Sequence, residues 1–144
     1  MSNIAVGDAD GLISLALSHE SNHDLAVAGT IAFAKQGIEV LFPVTVFPEA
    51  ITSLKRAANQ PAKAHLLATQ FAKGAFNIVY IDKDIMNRAC EIFDKAKSKQ
   101  NTFFDAIVAA TAEKLDASCI FSFDGWYPKL GFKLFTSFLN DLKL

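Results

Sequence analysis

The sequence contains few of the residues that mark disulfide-rich, collagenous or low-complexity proteins. Its 144 residues include only two cysteines, four prolines and seven glycines. Apolar residues make up 51% of the chain and charged residues 20%, a balance that excludes intrinsic disorder. The length is that of one ordinary domain. We therefore expect a single domain over residues 1–144, with a sizeable core to which thirteen phenylalanines contribute.

Cysteine spacing and net charge exclude further classes. Cys90 and Cys119 stand far apart with no CxxC or Cys/His spacing, which argues against a structural zinc site. We expect two reduced thiols in a cytoplasmic protein, with one disulfide as the alternative. The 14 basic and 15 acidic residues give a formal net charge of −1. Because a nucleic-acid binder that works by bulk charge is normally basic, any such binding must be local and assisted by ions.

Long hydrophobic runs and targeting signals are also lacking. No stretch approaches the roughly 18 continuous apolar residues of a membrane span. The N-terminal region has no basic segment and reaches Asp8 and Asp10 before any useful apolar run. We therefore expect a soluble, cytoplasmic protein without a membrane partner.

Short apolar strands alternate with helical patterns along the chain. The helical spacing of apolar residues predicts helices over residues 11–17, 25–35, 45–56, 62–73, 83–98 and 103–115. Strands are expected over residues 4–6, 38–42, 77–81, 119–123 and 133–136, with a polar terminus after the last one. This alternation predicts an α/β fold, a three-layer α/β/α domain with a mainly parallel sheet of about four or five strands.

Five carboxylates fall near the predicted carboxyl ends of these strands. Asp8 and Asp10 follow the first strand, Asp124 follows the fourth, Glu49 lies shortly after the second, and Asp105 opens a helix at the same edge. Ligands gather at this edge of an open parallel sheet. Carboxylates that lie close together repel one another unless a cation binds or one of them is protonated. Oxygen-only ligands of this kind suit Mg²⁺ or Mn²⁺.

Each acid also has a purely structural explanation. Asp105 follows Thr102 at the spacing of a helix capping box. Asp124 and Gly125 form a common turn dipeptide. The two acids after the first strand can cap the first helix, and the acid in the second segment can be a solvated first-turn residue. It is the convergence of the five acids that indicates a site.

The acidic motifs also resemble those of a known family. Residues 8–13 read DADGLI, an acid follows at Glu49, residues 105–112 read DAIVAATA, and residues 122–124 read SFD. This order resembles the PIN-domain ribonucleases, including the VapC-type toxins of toxin–antitoxin pairs. The resemblance covers essentially the whole chain, and residues 105–112 are its most specific stretch.

The resemblance implies a PIN-like fold and a metal-dependent endoribonuclease. It assigns Asp8, Glu49, Asp105 and Asp124 as the catalytic acids, with Mg²⁺ or Mn²⁺ as the cofactor. Bound ions would activate a water that hydrolyses an RNA phosphodiester, leaving a 5′-phosphate and a 3′-hydroxyl. The resemblance also implies a homodimer and, for a toxin, an antitoxin protein as partner.

Two positions depart from the family pattern. Asp10 stands where the family usually has Ser, Thr or Asn, so it either adds a metal ligand or caps the helix. Pro48, directly before Glu49, is also unusual and bears on the orientation of that side chain.

Contacts with RNA beyond the metal site require cations and stacking surfaces. Three lysines near residue 97 are instead explained as helix-terminal cations that complement the dipole, and Tyr127 has both a stacking and a core-packing explanation. The candidate substrate-binding residues are Lys55, Arg56, Lys63, Ser122 and Trp126.

Two other functions compete with this hypothesis. Asp8 and Asp10 also resemble the opening motif of haloacid dehalogenase-type phosphatases, but the later lysine and acidic motifs of those enzymes are not matched. The chain could also be a catalytically degenerate PIN-like module that binds RNA or protein. A rise in melting temperature with Mg²⁺ or Mn²⁺ distinguishes a working metal site from such a module.

Overall fold

The computed structural model describes residues 2–142, which form a parallel sheet flanked by helices. Its strands lie in the spatial order β3-β2-β1-β4, and each neighbouring pair is parallel. A parallel sheet needs helices on both faces. The predicted three-layer α/β/α class is confirmed. The strands are β1 (Ile4–Gly7), β2 (Glu39–Pro43), β3 (Asn77–Val79) and β4 (Cys119–Phe121).

The helices pack in two groups. α6 packs against α5 and contacts β1 and β2, while α3 packs against α4 and α1, α1 against α2, and α2 against α8. Each group presents apolar side chains to a common core. The helices are α1 (Ala9–Ala16), α2 (His23–Gln36), α3 (Val46–Lys55), α4 (Pro61–Ala72), α5 (Lys83–Asp94), α6 (Phe103–Lys114), α7 (Trp126–Lys129) and α8 (Phe135–Leu142).

The C-terminal part differs from the sequence-based expectation. The strand expected at residues 133–136 is wrong: Leu134 forms only an isolated bridge to Ile120, and α8 begins at Phe135. Phe135 and Phe138 recur at helical spacing and are both buried, so the amphipathic helical pattern prevails over the β-forming tendency of the run. Helix α5 ends at Asp94, earlier than expected, and α7 was not predicted.

The carboxyl end of β1 lies in the middle of the sheet, where the chain passes into α1. Glycines permit close packing at this junction. A Cβ on Gly7 would lie 2.1 Å from the Phe42 ring, and one on Gly11 would lie 2.7 Å from the Phe121 ring. Helix α1 therefore begins directly against β4 and the loop that follows it.

Two further expectations concern the whole chain. Cys90 and Cys119 are both free thiols, and burial raises the pKa of the Cys119 thiol to about 12. Across residues 2–142, none of the helices combines the length and apolar character that crossing a bilayer demands.

Candidate metal centre

All five acids singled out in the sequence line one cavity at the carboxyl edge of the sheet. This acid cavity has a volume of about 180 Å³, and Ser53 of α3 also lines it. Its carboxylates come from the β1–α1 junction, from α3, from the start of α6 and from the loop after β4. Strand ends and helix starts thus converge as the topology predicts. The acids that line it are Asp8, Asp10, Glu49, Asp105 and Asp124.

Asp8 is the most buried of the five, with 4% of its surface exposed. It is the N-cap of α1: its Oδ1 accepts a hydrogen bond from the Ala9 backbone N–H at 2.7 Å. Its Oδ2 accepts a hydrogen bond from the Tyr127 hydroxyl at 2.6 Å. Burial, together with the negative charge of Asp10, raises the pKa of Asp8 well above its usual range. The Tyr127 hydrogen bond opposes this shift because it stabilises the ionised carboxylate.

Asp10 is hydrogen-bonded to the loop after β4. Its Oδ2 accepts hydrogen bonds from the Ser122 hydroxyl at 2.9 Å and from the Phe123 backbone N–H at 2.8 Å. Its Oδ1 is buried and has no hydrogen-bond partner. Burial raises the pKa of Asp10, while the bonds from Phe123 and Ser122 oppose that rise. Since Asp8 is the N-cap of α1, the structure does not place Asp10 as the helix cap.

Glu49 reaches the cavity from the first turns of α3. The helix begins at Val46, so Pro48 lies in the first turn, where proline is tolerated. Glu49 Oε1 is buried without a hydrogen-bond partner. Burial, and then repulsion from Asp105 and Asp10, raises the pKa of Glu49 to about 7.

Asp105 caps helix α6 and also lines the acid cavity. Its Oδ2 accepts hydrogen bonds from the Thr102 backbone N–H and hydroxyl at 3.0 and 3.1 Å, which completes the capping box of α6. These bonds use Oδ2, so the cap does not involve Oδ1. Burial raises the pKa of Asp105 despite the Thr102 bonds. The helix therefore fixes one end of a carboxylate that also lines the cavity.

Asp124 is positioned by the turn that leads into α7. Its backbone N–H donates to Ser122 Oγ at 3.0 Å, and its Oδ1 accepts from the Trp126 backbone N–H at 2.9 Å. Ser122 is thus bonded to both Asp10 and Asp124. Its side chain is fully buried, so it orients these acids and cannot contact a substrate as the sequence had suggested.

The donor set fits a hard divalent cation. Every donor is a carboxylate oxygen, which is the ligand type that Mg²⁺ and Mn²⁺ prefer. Two of these oxygens, Asp10 Oδ1 and Glu49 Oε1, are buried with no partner, and such groups need a compensating charge or proton. Among residues 2–142, no three His, Cys, Asp or Glu side chains already have the geometry to hold an ion. Rotation of the carboxylates would have to complete the coordination.

The other candidate substrate residues are dispersed. Lys55 and Arg56 are exposed at the end of α3, and neither lines the acid cavity. Lys63 lines a separate, largely apolar groove between α1 and α4. Trp126 is only 9% exposed, and Tyr127 is fully buried and so cannot stack on a base.

The role of Tyr127 was missed by the sequence reasoning. Burial, followed by the charges of Asp8 and Asp105, raises the pKa of Tyr127 well above its usual range. Its hydroxyl is therefore a permanent donor at neutral pH. A tyrosine three residues after the last acid was the available signal, but nothing in the sequence shows that its hydroxyl turns inward.

Comparison with known proteins agrees with this architecture. The model of the PIN domain family matches residues 8–133, so the chain belongs to the PIN domain family. The matched range contains the five acids and Tyr127. Membership of this family removes the haloacid dehalogenase alternative. No curated protein sequence matches the chain significantly.

Two solved structures share the fold. One is VapC20 of Mycobacterium tuberculosis, a toxin that cleaves the sarcin-ricin loop; it matches with a TM-score of 0.75 and 20% identity, over 90% of this chain and 95% of that one. The other is a toxin–antitoxin complex from Klebsiella pneumoniae, with a TM-score of 0.53 and 22% identity, over 83% of this chain and 86% of that one.

Proposed function

We propose that this protein is a metal-dependent endoribonuclease and the toxin of a toxin–antitoxin pair. The observation that carries the proposal is the acid cavity, in which five carboxylates converge and two buried oxygens lack partners. Membership of the PIN domain family supports nuclease chemistry. The two structural neighbours, an RNA-cleaving toxin and a toxin–antitoxin complex, support the toxin role and an antitoxin partner.

The side chains in and around the acid cavity would have different roles. Asp8, Asp105 and Asp124 would hold Mg²⁺ or Mn²⁺, with Asp10 and Glu49 as the nearest additional donors. The metal, when bound, lowers the pKa of a coordinated water and neutralises charge that develops on the phosphate. Tyr127 orients Asp8, and Ser122 orients Asp10. In the metal-free protein, burial and the neighbouring acids raise the pKa of Glu49 to about 7, so this side chain can hold a proton at neutral pH.

The proposal also covers the cleavage products, the cellular location and the oligomeric state. Water would attack the phosphorus in line with the bridging O3′, so that the P–O3′ bond breaks, O3′ leaves as a 3′-hydroxyl and the other fragment carries a 5′-phosphate. We propose further that the protein acts in the cytoplasm as a homodimer. A second candidate, a binding module without activity, has no specific observation in its favour because all the acidic positions are retained.

The proposal is tested by cleavage of a mixed single-stranded RNA pool with Mn²⁺ or Mg²⁺ and with EDTA. Wild type should cleave only with metal and leave 5′-phosphate ends, and Asp8→Asn should abolish cleavage. Asp24→Asn, which removes an exposed acid outside the cavity, is the matched control and should retain activity. Absence of cleavage together with absence of any Mn²⁺-dependent rise in melting temperature would contradict the proposal and favour the binding module.

A further inference from the structure

A second, polar cleft adjoins the acid cavity. This basic cleft has a volume of about 570 Å³ and is lined by the loop after α5 and by α7. Asp124 lines both the basic cleft and the acid cavity, so the two adjoin at that residue. The residues that define the basic cleft are Lys95, Lys97, Asn101, Trp126 and Lys129.

None of the three lysines of the basic cleft forms an ion pair with an acid of the described residues. Within residues 2–142, the ion pairs involve other cations, namely Arg88, Lys114 and Lys133. Asp124 is the one acidic residue among those that line the cleft. The cleft therefore carries a local positive charge in a protein whose net charge is −1.

The helix dipole explains only part of this arrangement. Lys95 is the C-cap of α5, where a cation complements the dipole. Lys97 lies beyond the end of that helix, and Lys129 comes from the last turn of α7. Lysines from two different elements line one cleft, which a shared anionic ligand explains better than the dipole of α5.

The chemistry of the walls favours phosphates over bases. Ser98, Gln100 and Asn101 add hydroxyl and amide groups that can donate to phosphate oxygens. Trp126 is 9% exposed, so little of its ring surface is open for stacking on a base. Lysine ammonium groups bind phosphates as point charges, without requiring one fixed geometry.

We propose that the basic cleft binds the phosphate backbone of single-stranded RNA and leads it past Asp124 into the acid cavity. The inference rests on the proposed function and adds the path of the substrate. Contacts of this type position the strand and carry little sequence information. Binding should therefore depend strongly on salt and weakly on sequence.

The test uses fluorescence anisotropy with a fluorescein-labelled, mixed-sequence single-stranded RNA of twelve nucleotides in EDTA, which prevents cleavage. The cleft variant replaces Lys95, Lys97 and Lys129 by alanine. The control variant removes the same charge by alanine at Lys35, Lys73 and Lys83, which are exposed and line neither cavity. Melting temperatures of both variants establish that they fold.

Loss of three phosphate contacts should make the slope of log K against log salt shallower by about 2, at roughly 0.7 per contact on a single strand. The dissociation constant should rise by about tenfold or more near 100 mM salt, while the control variant keeps the wild-type slope. The single variant Lys97→Glu, which reverses the charge at one position, should weaken binding more than Lys97→Ala.

Two results would overturn the inference: a cleft variant whose slope equals that of the control, or wild type that does not bind the RNA. The first of these results would favour an acidic protein segment, and not RNA, as the ligand of the basic cleft. Metal-dependent cleavage by wild type is measured in parallel. If it occurs while the cleft variant behaves like the control, only the substrate path is wrong. If wild type shows neither cleavage nor a Mn²⁺-dependent rise in melting temperature, the proposed function itself fails.

Discussion

The Tyr127 hydroxyl donates a hydrogen bond to Asp8 Oδ2 at 2.6 Å, although the two residues stand 119 positions apart. Both side chains are buried. The bond is the contact that favours the ionised form of Asp8 most, against burial and the nearby acids. Hydrogen bonds to a metal-binding carboxylate fix its orientation and tune its basicity. Tyr127 is therefore a positioning residue of the proposed metal centre.

Tyr127→Phe keeps the buried ring and removes only this hydroxyl. Because Asp8 then loses the donor that favours its charge, we expect the affinity for Mn²⁺ at neutral pH to fall by roughly tenfold or more. Titration calorimetry with Mn²⁺ measures this directly. Tyr80→Phe removes a hydroxyl from a side chain that is 71% exposed and should leave the affinity unchanged. Equal affinities in wild type and Tyr127→Phe would show that the bond is only structural.

The raised pKa of Glu49 predicts that the metal-free protein loses stability as the pH rises. The folded protein retains a proton on Glu49 up to about pH 7, whereas the unfolded chain releases it near 4.5, so unfolding releases protons in this window. The contribution of Glu49 to the free energy of unfolding is therefore largest below pH 4.5, and it is lost as the pH rises through 7.

The substitution Glu49→Gln isolates this pH dependence because the glutamine side chain does not titrate. Relative to wild type in EDTA, the variant should gain stability between pH 5 and pH 8, on the order of 1 kcal/mol after screening of a partly exposed group. Urea unfolding at each pH gives the difference. A difference that does not change with pH would contradict the placement of Glu49 in the acid cavity.

Asp10→Asn tests whether Asp10 acts as a ligand. The amide oxygen can still accept from Ser122 and Phe123, while the buried negative charge beside Asp8 disappears. We expect a higher melting temperature in EDTA and a smaller rise on addition of Mn²⁺. If wild type and variant respond equally to Mn²⁺, Asp10 serves only to hold the loop after β4.

Gly11→Ala should disturb the junction between β1 and α1, which carries Asp8 and Asp10. The added Cβ would lie 2.7 Å from the Phe121 ring and 2.8 Å from the Phe121 carbonyl oxygen, so helix α1 must shift. Overpacking of this kind costs about 1–3 kcal/mol. Gly125→Ala, where no atom lies within 4 Å of the new Cβ, should leave the free energy of unfolding nearly unchanged. Urea denaturation compares the two.

The sequence was sufficient to predict the fold class and the grouping of the acids. Periodic apolar runs mark the strands and helices, and parallel topology brings their carboxyl ends to one edge, so Asp8 and Asp124 were expected at the same edge. Their direct proximity depends on the pairing of β1 with β4, which only the structure shows. Residues 133–136 illustrate where this reasoning fails. A short apolar run fits either a strand or a helix, and the burial of Phe135 and Phe138 decides between them only in three dimensions.

The supporting contacts of the site could not be predicted in the same way. Ser122 and Tyr127 act through hydrogen bonds to residues more than one hundred positions away, and such pairings leave no local periodicity. The basic cleft depends on where the loop after α5 meets α7. Lys55, Arg56 and Lys63 follow Glu49 in sequence, but they lie at the end of α3 or in α4 and do not line the acid cavity.

The position of β1 in the sheet has a consequence for synthesis of the protein on the ribosome. Residue 8 emerges early, but its neighbours Asp105 and Asp124 and its partner Tyr127 emerge only when most of the chain has been translated. β4, which completes the edge of the sheet beside β1, is also among the last elements to appear. A nascent chain thus lacks the complete carboxylate cluster, and with it the proposed metal centre, until the loop after β4 has been translated.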